Sequence, residues 1–292
     1  MLREETRRYG GQKVVKADWI ELAQALADAA GAVIRPLFRG DLQAEYKQAR
    51  SPIVTVADRE AERAMRALLM AQVPDHNILG EEFGLHQTGS PYTWVLDPVD
   101  GTIAFSTGKP TFGTLIALLE EDRPILGIID QPVLGERWLG VRGQPTQFNR
   151  QPAQTKANTN LSHAYLSCTT PDLFTQPDQQ RRFQHLSQSV HVTSYGGDCY
   201  QYGLLASGHI DLVLECGLAL YDFAALIPVI EGSGGVMTDW QGDPLSRAST
   251  GEVLAAANPS LHQQALAQIQ AVDSTVHSCP SPSSLSVKDP GS

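Results

Sequence analysis

The segment that most limits how this chain can fold is a short apolar run that ends in two closely spaced acids. Trp, Val and Leu at residues 94–96 are followed by Asp-Pro-Val-Asp-Gly-Thr at residues 97–102. A short apolar run bounded by turn-forming residues is typical of a buried strand, and proline disfavours helix for the residue before it. We therefore expect Asp97 and Asp100 at a strand end and in the following turn, where both face one cleft.

Two carboxylates held a few ångströms apart repel each other unless cations share them, and carboxylate oxygens are ligands that Mg²⁺ prefers. Two further acids are candidates for the same cleft: Glu81 follows the apolar residues 78–79, and Asp222 begins a helical pattern. A glycine after the second acid lets backbone N–H groups approach an anion, so Gly101 and Thr102 are candidate phosphate contacts. This combination predicts phosphoryl hydrolysis or transfer assisted by divalent cations.

Each of these signals also has an ordinary structural interpretation. A lone Asp-Pro-x-Asp-Gly-Thr segment is most often a turn, and Asp222 taken alone is more often the N-cap of a helix. Glu81, within a Gly-Glu-Glu triplet, carries almost no information by itself. The metal-site hypothesis therefore depends on the combination of acids and on their order along the chain.

Composition narrows the class of protein. The 292 residues are 42% hydrophobic and 18% charged, which fits one large domain or two fused lobes with a sizeable core. The net charge of -10 argues against nucleic acid or an anionic membrane as a partner. The cysteines, Cys168, Cys199, Cys216 and Cys279, form no Cys-x-x-Cys pair, so we expect free thiols rather than a zinc site or disulfides.

No segment of the sequence is typical of a signal peptide or a membrane span. The first eight residues mix three arginines with two glutamates. No apolar run approaches the roughly 20 residues that a span needs. We therefore expect a soluble protein of the cytoplasm, or of the plastid stroma in a plastid-bearing organism.

Hydrophobic periodicity predicts two successive units, an α+β lobe over residues 17–160 and an α/β lobe over residues 161–272. Residues 1–16 are predicted to be flexible, and residues 273–292, rich in Ser and Pro, are predicted to be a disordered tail. Asp18 and Asp58 are expected to be helix N-caps. The predicted helices span residues 18–40, 58–73, 179–189, 198–207, 222–232 and 259–272, and the predicted strands span residues 53–56, 78–79, 94–96, 114–119, 124–130, 136–141, 164–167 and 210–215, with a polar loop at 144–160.

The chain resembles the inositol monophosphatase family of metal-dependent phosphatases over about residues 17–270. The matching segments, in order, are residues 51–58 (SPIVTVAD), 80–82 (GEE), 94–102 (WVLDPVDGT), 221–225 (YDFAA) and 231–235 (EGSGG). One departure is Tyr221, where many members place Trp. The resemblance implies an α/β (α+β) fold, the five-layered α-β-α-β-α sandwich of inositol monophosphatases and fructose-1,6-bisphosphatases. It also implies hydrolysis of a phosphomonoester with two or three Mg²⁺ ions per site.

The same resemblance implies roles for individual residues. The implied metal ligands are Glu81, Asp97, Asp100, Asp222 and the carbonyl of Val99. Gly101 and Thr102 are implied to contact the phosphate. Asp58 and Thr102 are implied to orient the attacking water and, with Glu81, to form the catalytic group. The family also suggests a homodimer, which the sequence itself does not show.

A subgroup of this family, the histidinol-phosphate phosphatases, resembles the chain more closely. The segments that carry the closer match are residues 108–116, 127–133, 136–138 and 196–200. This resemblance implies histidinol phosphate as the substrate and a late step of histidine biosynthesis as the setting.

The distribution of charge supports the same substrate independently. No Lys or Arg occurs between Arg182 and Arg247, whereas that segment contains seven acids: Asp198, Asp211, Glu215, Asp222, Glu231, Asp239 and Asp243. A second phosphate on the substrate would need Arg or Lys, but an ammonium and an imidazole favour carboxylates. Asp198 and Glu215 are our candidates for binding histidinol. The alternatives are a helix N-cap for Asp198 and a solvated strand end for Glu215.

Three rival interpretations stay open at this point. A phosphatase for inositol phosphate or another polyol phosphate would use the same metals and differ only in the pocket. A non-catalytic regulatory binding protein on the same scaffold would lack a metal acid, and none is missing here. A generic α/β domain with coincidental acids would require several specific motifs to be accidental.

Overall fold

The structure is a computed structural model, and it describes residues 8–9, 12–13, 15–40 and 56–275. Most of the predicted flexible N terminus, most of the predicted strand at residues 53–56, and the tail beyond residue 275 lie outside these residues. Of the early segment that resembles the family, only Val56, Ala57 and Asp58 are described.

Two long amphipathic helices, α1 (Ala17–Leu37) and α2 (Val56–Gln72), precede the two large sheets in the chain. Each presents an apolar stripe at helical spacing to the interior, as the sequence predicts. The predicted N-caps are wrong, because both helices begin earlier. Asp18 and Asp58 lie inside the first turn, where a negative side chain still interacts favourably with the helix dipole. Val56 begins α2 and is not in a strand.

The strands form two large sheets and one small hairpin. The hairpin pairs β1 (Arg8–Tyr9) with β2 (Gln12–Lys13). The eight strands of the first sheet are β3 (Asn77–Gly80), β4 (Gly84–His86), β5 (Tyr92–Asp100), β6 (Gly113–Glu120), β7 (Arg123–Gln131), β8 (Glu136–Val141), β9 (Gln147–Phe148) and β10 (Gln151–Pro152), in the order β10-β9-β8-β7-β6-β5-β3-β4. Its neighbours are antiparallel except β3 and β5, which run parallel.

The second sheet follows later in the chain. Its five strands are β11 (Tyr165–Cys168), β12 (Val192–Tyr195), β13 (Leu212–Glu215), β14 (Val236–Thr238) and β15 (Val253–Ala256), in the order β12-β11-β13-β15-β14. The remaining helices are α3 (Thr102–Ser106), α4 (Pro177–Ser189), α5 (Tyr200–Ala206), α6 (Leu220–Phe223), α7 (Leu226–Gly232) and α8 (Pro259–Thr275), with short 3-10 helices at Leu161–His163 and Pro171–Leu173.

These elements stack as five layers. Helices α1 and α2 cover one face of the first sheet, α5, α6 and α7 fill the space between the two sheets, and α4 and α8 cover the outer face of the second sheet. Side chains on β5 alternate accordingly: Trp94 and Leu96 join the core under α1 and α2, whereas Val95 joins the central core. The predicted five-layered α-β-α-β-α architecture is therefore confirmed.

Several sequence predictions of local structure need correction. The predicted helix 222–232 is two helices, α6 and α7, and α5 begins at Tyr200 rather than Asp198. The predicted loop 144–160 contains β9 and β10. The sequence analysis missed α3, β4, β12, β14 and β15. These elements have three to five residues, too few to show a period, and β12 is a largely exposed edge strand.

The division into lobes at residue 160 stays a prediction. Helices α6 and α7, from the predicted second lobe, pack on the first sheet. Cys168, Cys199 and Cys216 are buried free thiols, as expected, and Cys279 lies outside the described residues. Among the helices that the structure describes, none is long and apolar enough to cross a membrane.

Two glycines let α7 lie directly on the first sheet. Gly127 and Gly140 are cross-strand partners on β7 and β8. A Cβ at Gly127 would lie 2.0 Å from the Ala225 carbonyl oxygen, and one at Gly140 would lie 2.3 Å from the Val229 nitrogen. Because both neighbours are backbone, they cannot move aside, and the close approach fixes α7 and the preceding α6, which carries Asp222.

We predict that Gly140→Ala lowers the free energy of unfolding by at least about 3 kcal/mol, because the added methyl overpacks against backbone. Gly135→Ala is the control: its Cβ would meet no atom within 4 Å, but its φ of 69° is left-handed. The control should lose only about 1–2 kcal/mol. Urea unfolding followed by circular dichroism measures both, and equal losses would contradict the close-packing explanation.

Candidate metal centre and active site

A bulge in β5 brings the two acids of the central motif to one side of the sheet. Asp97 pairs with Leu115, and Asp100 pairs with Gly113. A step of three residues along β5 therefore matches a step of two residues along β6. In a regular strand, residues three apart point to opposite faces, and one extra residue reverses that. Val99 accordingly faces the core beneath α1 and α2. Pro98 has no N–H to contribute to a sheet, which suits a bulge position.

Three carboxylates meet at this bulge. One oxygen from each of Asp97, Asp100 and Asp222 lies within 4.8 Å of the other two. Each also accepts a backbone N–H: Asp97 from Val99 at 3.1 Å, Asp100 from Cys199 at 2.6 Å, and Asp222 from Ala219 at 2.7 Å. These bonds fix the carboxylates in orientation. Asp222 is not the N-cap of α6, because Ala219 is; its side chain accepts the Ala219 N–H from inside the first turn and also joins the acid cluster.

Glu81 and Asp58 lie beside this cluster. Glu81 follows β3, and its N–H donates to the Leu96 carbonyl at 3.2 Å, which continues the parallel pairing with β5. Its side chain is within hydrogen-bonding reach of Asp97. The charge of Asp58, a buried residue of α2, raises the pKa of both Glu81 and Asp97. The structure thus brings together all four predicted acidic ligands and the predicted water-orienting acid.

The chemistry of this donor set fits divalent cations. Burial is the largest cause that raises the pKa of Asp97 and of Asp100 well above the usual range, and nearby carboxylates raise both further. Burial, then the charge of Asp222, raises the pKa of Glu81 to about 7. Among the described residues, the largest charge effects on Asp97 come from Glu81, Asp100, Asp222 and Asp58, which are all acids. Buried oxygens that repel one another are what Mg²⁺ or Mn²⁺ would neutralise.

This repulsion predicts a pH-dependent stability of the metal-free protein. The pKa values of Glu81 and Asp222 are raised from 4.5 and 3.8 to about 7 and about 6 in the folded state. The folded chain therefore binds protons that the unfolded chain releases. Their stabilising contribution is complete below about pH 4 and is lost as the pH rises through about 7.

We expect the Tm in EDTA to fall between about pH 5 and about pH 8 because of this linkage. Mg²⁺ should raise the Tm more at the higher pH, since it binds the ionised acids of the folded state. Thermal unfolding by circular dichroism at both pH values, with and without Mg²⁺, measures the effect. A Mg²⁺-induced rise that is larger at the lower pH would contradict it.

The turn after Asp100 places the predicted phosphate contacts next to the acids. Gly101 has φ 83°, a left-handed conformation that glycine adopts without strain, and it caps α3. A Cβ there would also lie 2.8 Å from Cγ of Asp198, so no side chain fits. The Thr102 hydroxyl donates to the carbonyl of Val99 at 3.3 Å. The predicted ligand carbonyl and the predicted water-orienting hydroxyl therefore lie side by side.

A cavity of about 240 Å³ opens directly beside the acid cluster. Asp100, Asp222, Asp198 and Glu215 are among the residues that line it. Among the described residues that line it, none is Lys or Arg. The cavity therefore has the acidic character that the charge distribution predicts, and both candidate substrate-binding acids belong to it.

Glu215 is buried at the end of β13, so the alternative of a solvated strand end is wrong. It accepts hydrogen bonds from the Tyr202 hydroxyl at 2.9 Å and from the Thr169 N–H at 3.1 Å. Burial raises its pKa to about 7, although these two bonds lower it in part. A cationic ligand would offset the burial and keep this carboxylate ionised.

Asp198 is not the N-cap of α5; Cys199 is. Asp198 has a left-handed φ of 41° and packs against Gly101, which places its carboxylate between the phosphate turn and the cavity. Burial raises its pKa to about 6, and the charge of the exposed Lys109 opposes that rise. Lys109 lies outside the segment between Arg182 and Arg247 that contains no Lys or Arg.

The sequence analysis missed the residues that hold the site acids in place. Tyr202 and Thr169 hold Glu215, and the Cys199 N–H holds Asp100. Tyr202 could be suspected from its nearness to Asp198 in the chain. Backbone N–H contacts leave no signal in side-chain chemistry, so the contacts from Thr169 and Cys199 had none.

A five-layered sandwich with an oxygen-only acid cluster at a strand bulge defines a class of metal-dependent phosphatases. The chain belongs to the inositol monophosphatase family, whose model matches residues 16–274. This assignment confirms the family resemblance seen in the sequence.

The chain is similar to proteins that carry several different names. The chain is 47% identical to "Bifunctional phosphatase IMPL2, chloroplastic" of Arabidopsis thaliana over 85% of this chain and 74% of that protein. It is 34% identical to a histidinol-phosphatase of Chlorobaculum parvum over 86% of this chain and 96% of that protein. A solved inositol monophosphatase from Zymomonas mobilis is 48% identical with a TM-score of 0.80, covering 88% of this chain and 100% of that one.

Proposed function

We propose that this protein is a Mg²⁺-dependent hydrolase that converts L-histidinol phosphate and water into L-histidinol and phosphate. The observation that carries the proposal is the acidic cavity beside the metal acids. Asp198 and Glu215 line it, and no described Lys or Arg does. A leaving group with an ammonium and an imidazole matches this charge, whereas a polyol offers no cation and a bisphosphate would be repelled.

The phosphate end of the substrate would be held at the bulge of β5. Asp97, Asp100, Asp222, Glu81 and the Val99 carbonyl would hold two or three Mg²⁺ ions. When bound, these ions would polarise the phosphoryl oxygens, lower the pKa of water and stabilise the leaving oxygen.

The protein's own groups orient the reactants. The Thr102 hydroxyl and the Asp58 carboxylate would direct a water molecule at phosphorus, and Gly101 would let the phosphate approach the backbone. In the adjoining cavity, Asp198 and Glu215 would bind the cationic groups of histidinol. The water oxygen joins phosphorus as the ester bond to phosphorus breaks, and the alkoxide takes up a proton that the water gives up, which yields the alcohol and phosphate.

The relatives named as histidinol-phosphatases support this substrate. The resemblance of residues 136–138 and 196–200 to the histidinol-phosphate phosphatases supports it further. The proposed setting is a late step of histidine biosynthesis, in the cytoplasm or the plastid stroma. The proposed partners are a small phosphate ester and a second copy of the chain, with no nucleic acid or membrane. Light scattering of the purified protein tests the homodimer.

A polyol phosphate, such as inositol monophosphate, is the second candidate. It is favoured by the identity to the Zymomonas mobilis protein and requires the same metal acids. A non-catalytic binding role is not favoured, because one oxygen from each of three predicted metal ligands, Asp97, Asp100 and Asp222, lies within 4.8 Å of the other two.

The test is a phosphate-release panel with Mg²⁺. It compares histidinol phosphate, inositol monophosphate, a bisphosphorylated nucleotide and fructose 1,6-bisphosphate. We expect the highest kcat/KM with histidinol phosphate and none in EDTA. A higher kcat/KM with inositol monophosphate would replace the proposed substrate, and no release from any ester would remove the phosphatase proposal.

A further inference from the structure

The turn that presents Glu81 is held from behind by one buried carboxylate. Glu62 of α2 is fully buried, although an ionised side chain is seldom buried without a function or a partner. Its oxygen Oε2 accepts the Glu82 N–H at 2.8 Å, and Oε1 accepts the Phe83 N–H at 3.3 Å. The two residues that follow Glu81 are therefore anchored to α2.

Arg66 completes this arrangement, one turn further along α2. Its Nε donates to Glu62 Oε1 at 2.7 Å, and its side chain is 10% exposed against 0% for Glu62. A second guanidinium nitrogen of Arg66 donates to the Gly84 carbonyl. Glu62 and Arg66, with the backbone of residues 82–84, form what we call the α2 clamp.

The residue before Glu81 must be glycine for the clamp to close. A Cβ at Gly80 would lie 1.9 Å from Glu62 Oε1, well inside contact distance. The Glu62 carboxylate thus occupies the space that a side chain at position 80 would take. The Gly-Glu-Glu triplet, weak as a sequence signal, therefore has a specific partner on another element.

The clamp also links Glu81 to Asp58. Asp58 and Glu62 are four residues apart on α2 and both are buried, so they share one face of the helix. The Asp58 charge acts on Glu81 and Asp97, while Glu62 holds the turn behind Glu81. One rigid helix therefore sets both the predicted water-orienting acid and the position of a predicted metal ligand.

We propose that Glu62, supported by Arg66, is a positioning residue of the metal centre. It holds Glu81 in the position in which it binds a divalent cation, and it keeps Glu81 at a fixed place relative to Asp58. The role rests on the proposed metal-dependent function but not on the identity of the ester. Partners that orient metal ligands are worth about 10- to 100-fold in metal affinity.

The test compares Glu62→Gln with Glu60→Gln. Glu60 is exposed on the same helix and pairs only with the exposed Arg63 among the contacts described, so it matches the change without touching the turn. Mn²⁺ binding is measured without substrate by electron paramagnetic resonance and calorimetry. Mg²⁺ dependence of phosphate release and thermal unfolding are measured in parallel.

We expect Glu62→Gln to weaken Mn²⁺ binding about tenfold or more and to raise the Mg²⁺ concentration for half-maximal activity similarly. KM for the ester at saturating Mg²⁺ should change less than about twofold, and Glu60→Gln should match the wild type. Arg66→Lys keeps the positive charge but loses the forked donors. Its Mn²⁺ affinity should therefore lie between that of Glu62→Gln and that of the wild type.

A folded Glu62→Gln variant with wild-type Mn²⁺ affinity would overturn the positioning role, whatever its Tm. If Glu62→Gln does not fold, Arg66→Lys tests the positioning role instead. Wild-type Mn²⁺ affinity in Arg66→Lys would then overturn that role. Because Mn²⁺ binding is read without an ester, a wild-type protein that binds Mn²⁺ but hydrolyses none of the esters would fail the proposed function and leave this inference standing.

Discussion

The Asp97→Asn variant is expected to lose Mg²⁺-dependent phosphate release by about 10³-fold or more while keeping its fold. Asp97 is buried between Glu81 and Asp222, and the largest charge effects on it among the described residues come from acids. The amide keeps the size of the side chain but removes the charge that a divalent cation needs. Binding of the metal, rather than the architecture, should therefore fail.

The stability of the same variant separates this explanation from misfolding. Neutralising one of several repelling carboxylates should leave the Tm in EDTA equal to or above that of the wild type. Phosphate release and thermal unfolding measure the two effects on one preparation.

Asp122→Asn is the control, because this acid is 68% exposed and pairs with Arg247. It lies in the β6–β7 turn, at the other end of the sheet from Asp100. Its activity should match the wild type. Unchanged turnover in Asp97→Asn would remove the acid cluster from the mechanism.

The double variant Asp198→Asn with Glu215→Gln is expected to discriminate between esters. Hydrogen bonds to charged groups contribute about 1.5–3 kcal/mol each. Losing both should lower kcat/KM for histidinol phosphate by about 100-fold or more, chiefly through KM. A neutral ester such as inositol monophosphate should change less than about threefold, because it presents no cation to either acid.

The matched control is Glu231→Gln with Asp243→Asn. Both residues are exposed and come from the same segment without Lys or Arg, so the net charge changes equally. The control should behave as the wild type with both esters. Equal losses with both esters in the Asp198 and Glu215 variant would discredit the acidic pocket.

The pH dependence adds an independent readout of Glu215. Because burial raises its pKa to about 7, the carboxyl becomes protonated as the pH falls through 7. KM for histidinol phosphate should therefore rise at lower pH in the wild type, and Glu215→Gln should lose that part of the dependence. Parallel pH profiles for both proteins would argue against contact between Glu215 and the substrate.

Much of the fold follows from patterns that the sequence displays. Turn formers mark the ends of several strands: β8 was predicted with its observed limits of Glu136 and Val141. The apolar run at residues 114–119 predicted β6, which spans Gly113–Glu120. The long helices α1 and α2 show clear periodicity. Short strands such as β14 and β15 form by pairing with the other strands of their sheet, so no local sequence pattern predicts them.

The acids of the site were predictable, but their geometry was not. Asp97, Asp100, Glu81 and Asp222 stand out by chemistry and order. The bulge that turns Asp97 and Asp100 to one side is a property of the pairing between β5 and β6, which the sequence of β5 alone does not specify. Glu62 does not stand out in the sequence, because only the folded chain shows that it is buried against Gly80.

One diffraction experiment tests the central claim most directly. Crystals soaked in Mn²⁺ would be measured near the manganese absorption edge. Our account predicts anomalous peaks among the carboxylates of Glu81, Asp97, Asp100 and Asp222, beside the Gly101 turn. Full Mn²⁺ exposure with no peak among these four side chains would contradict it.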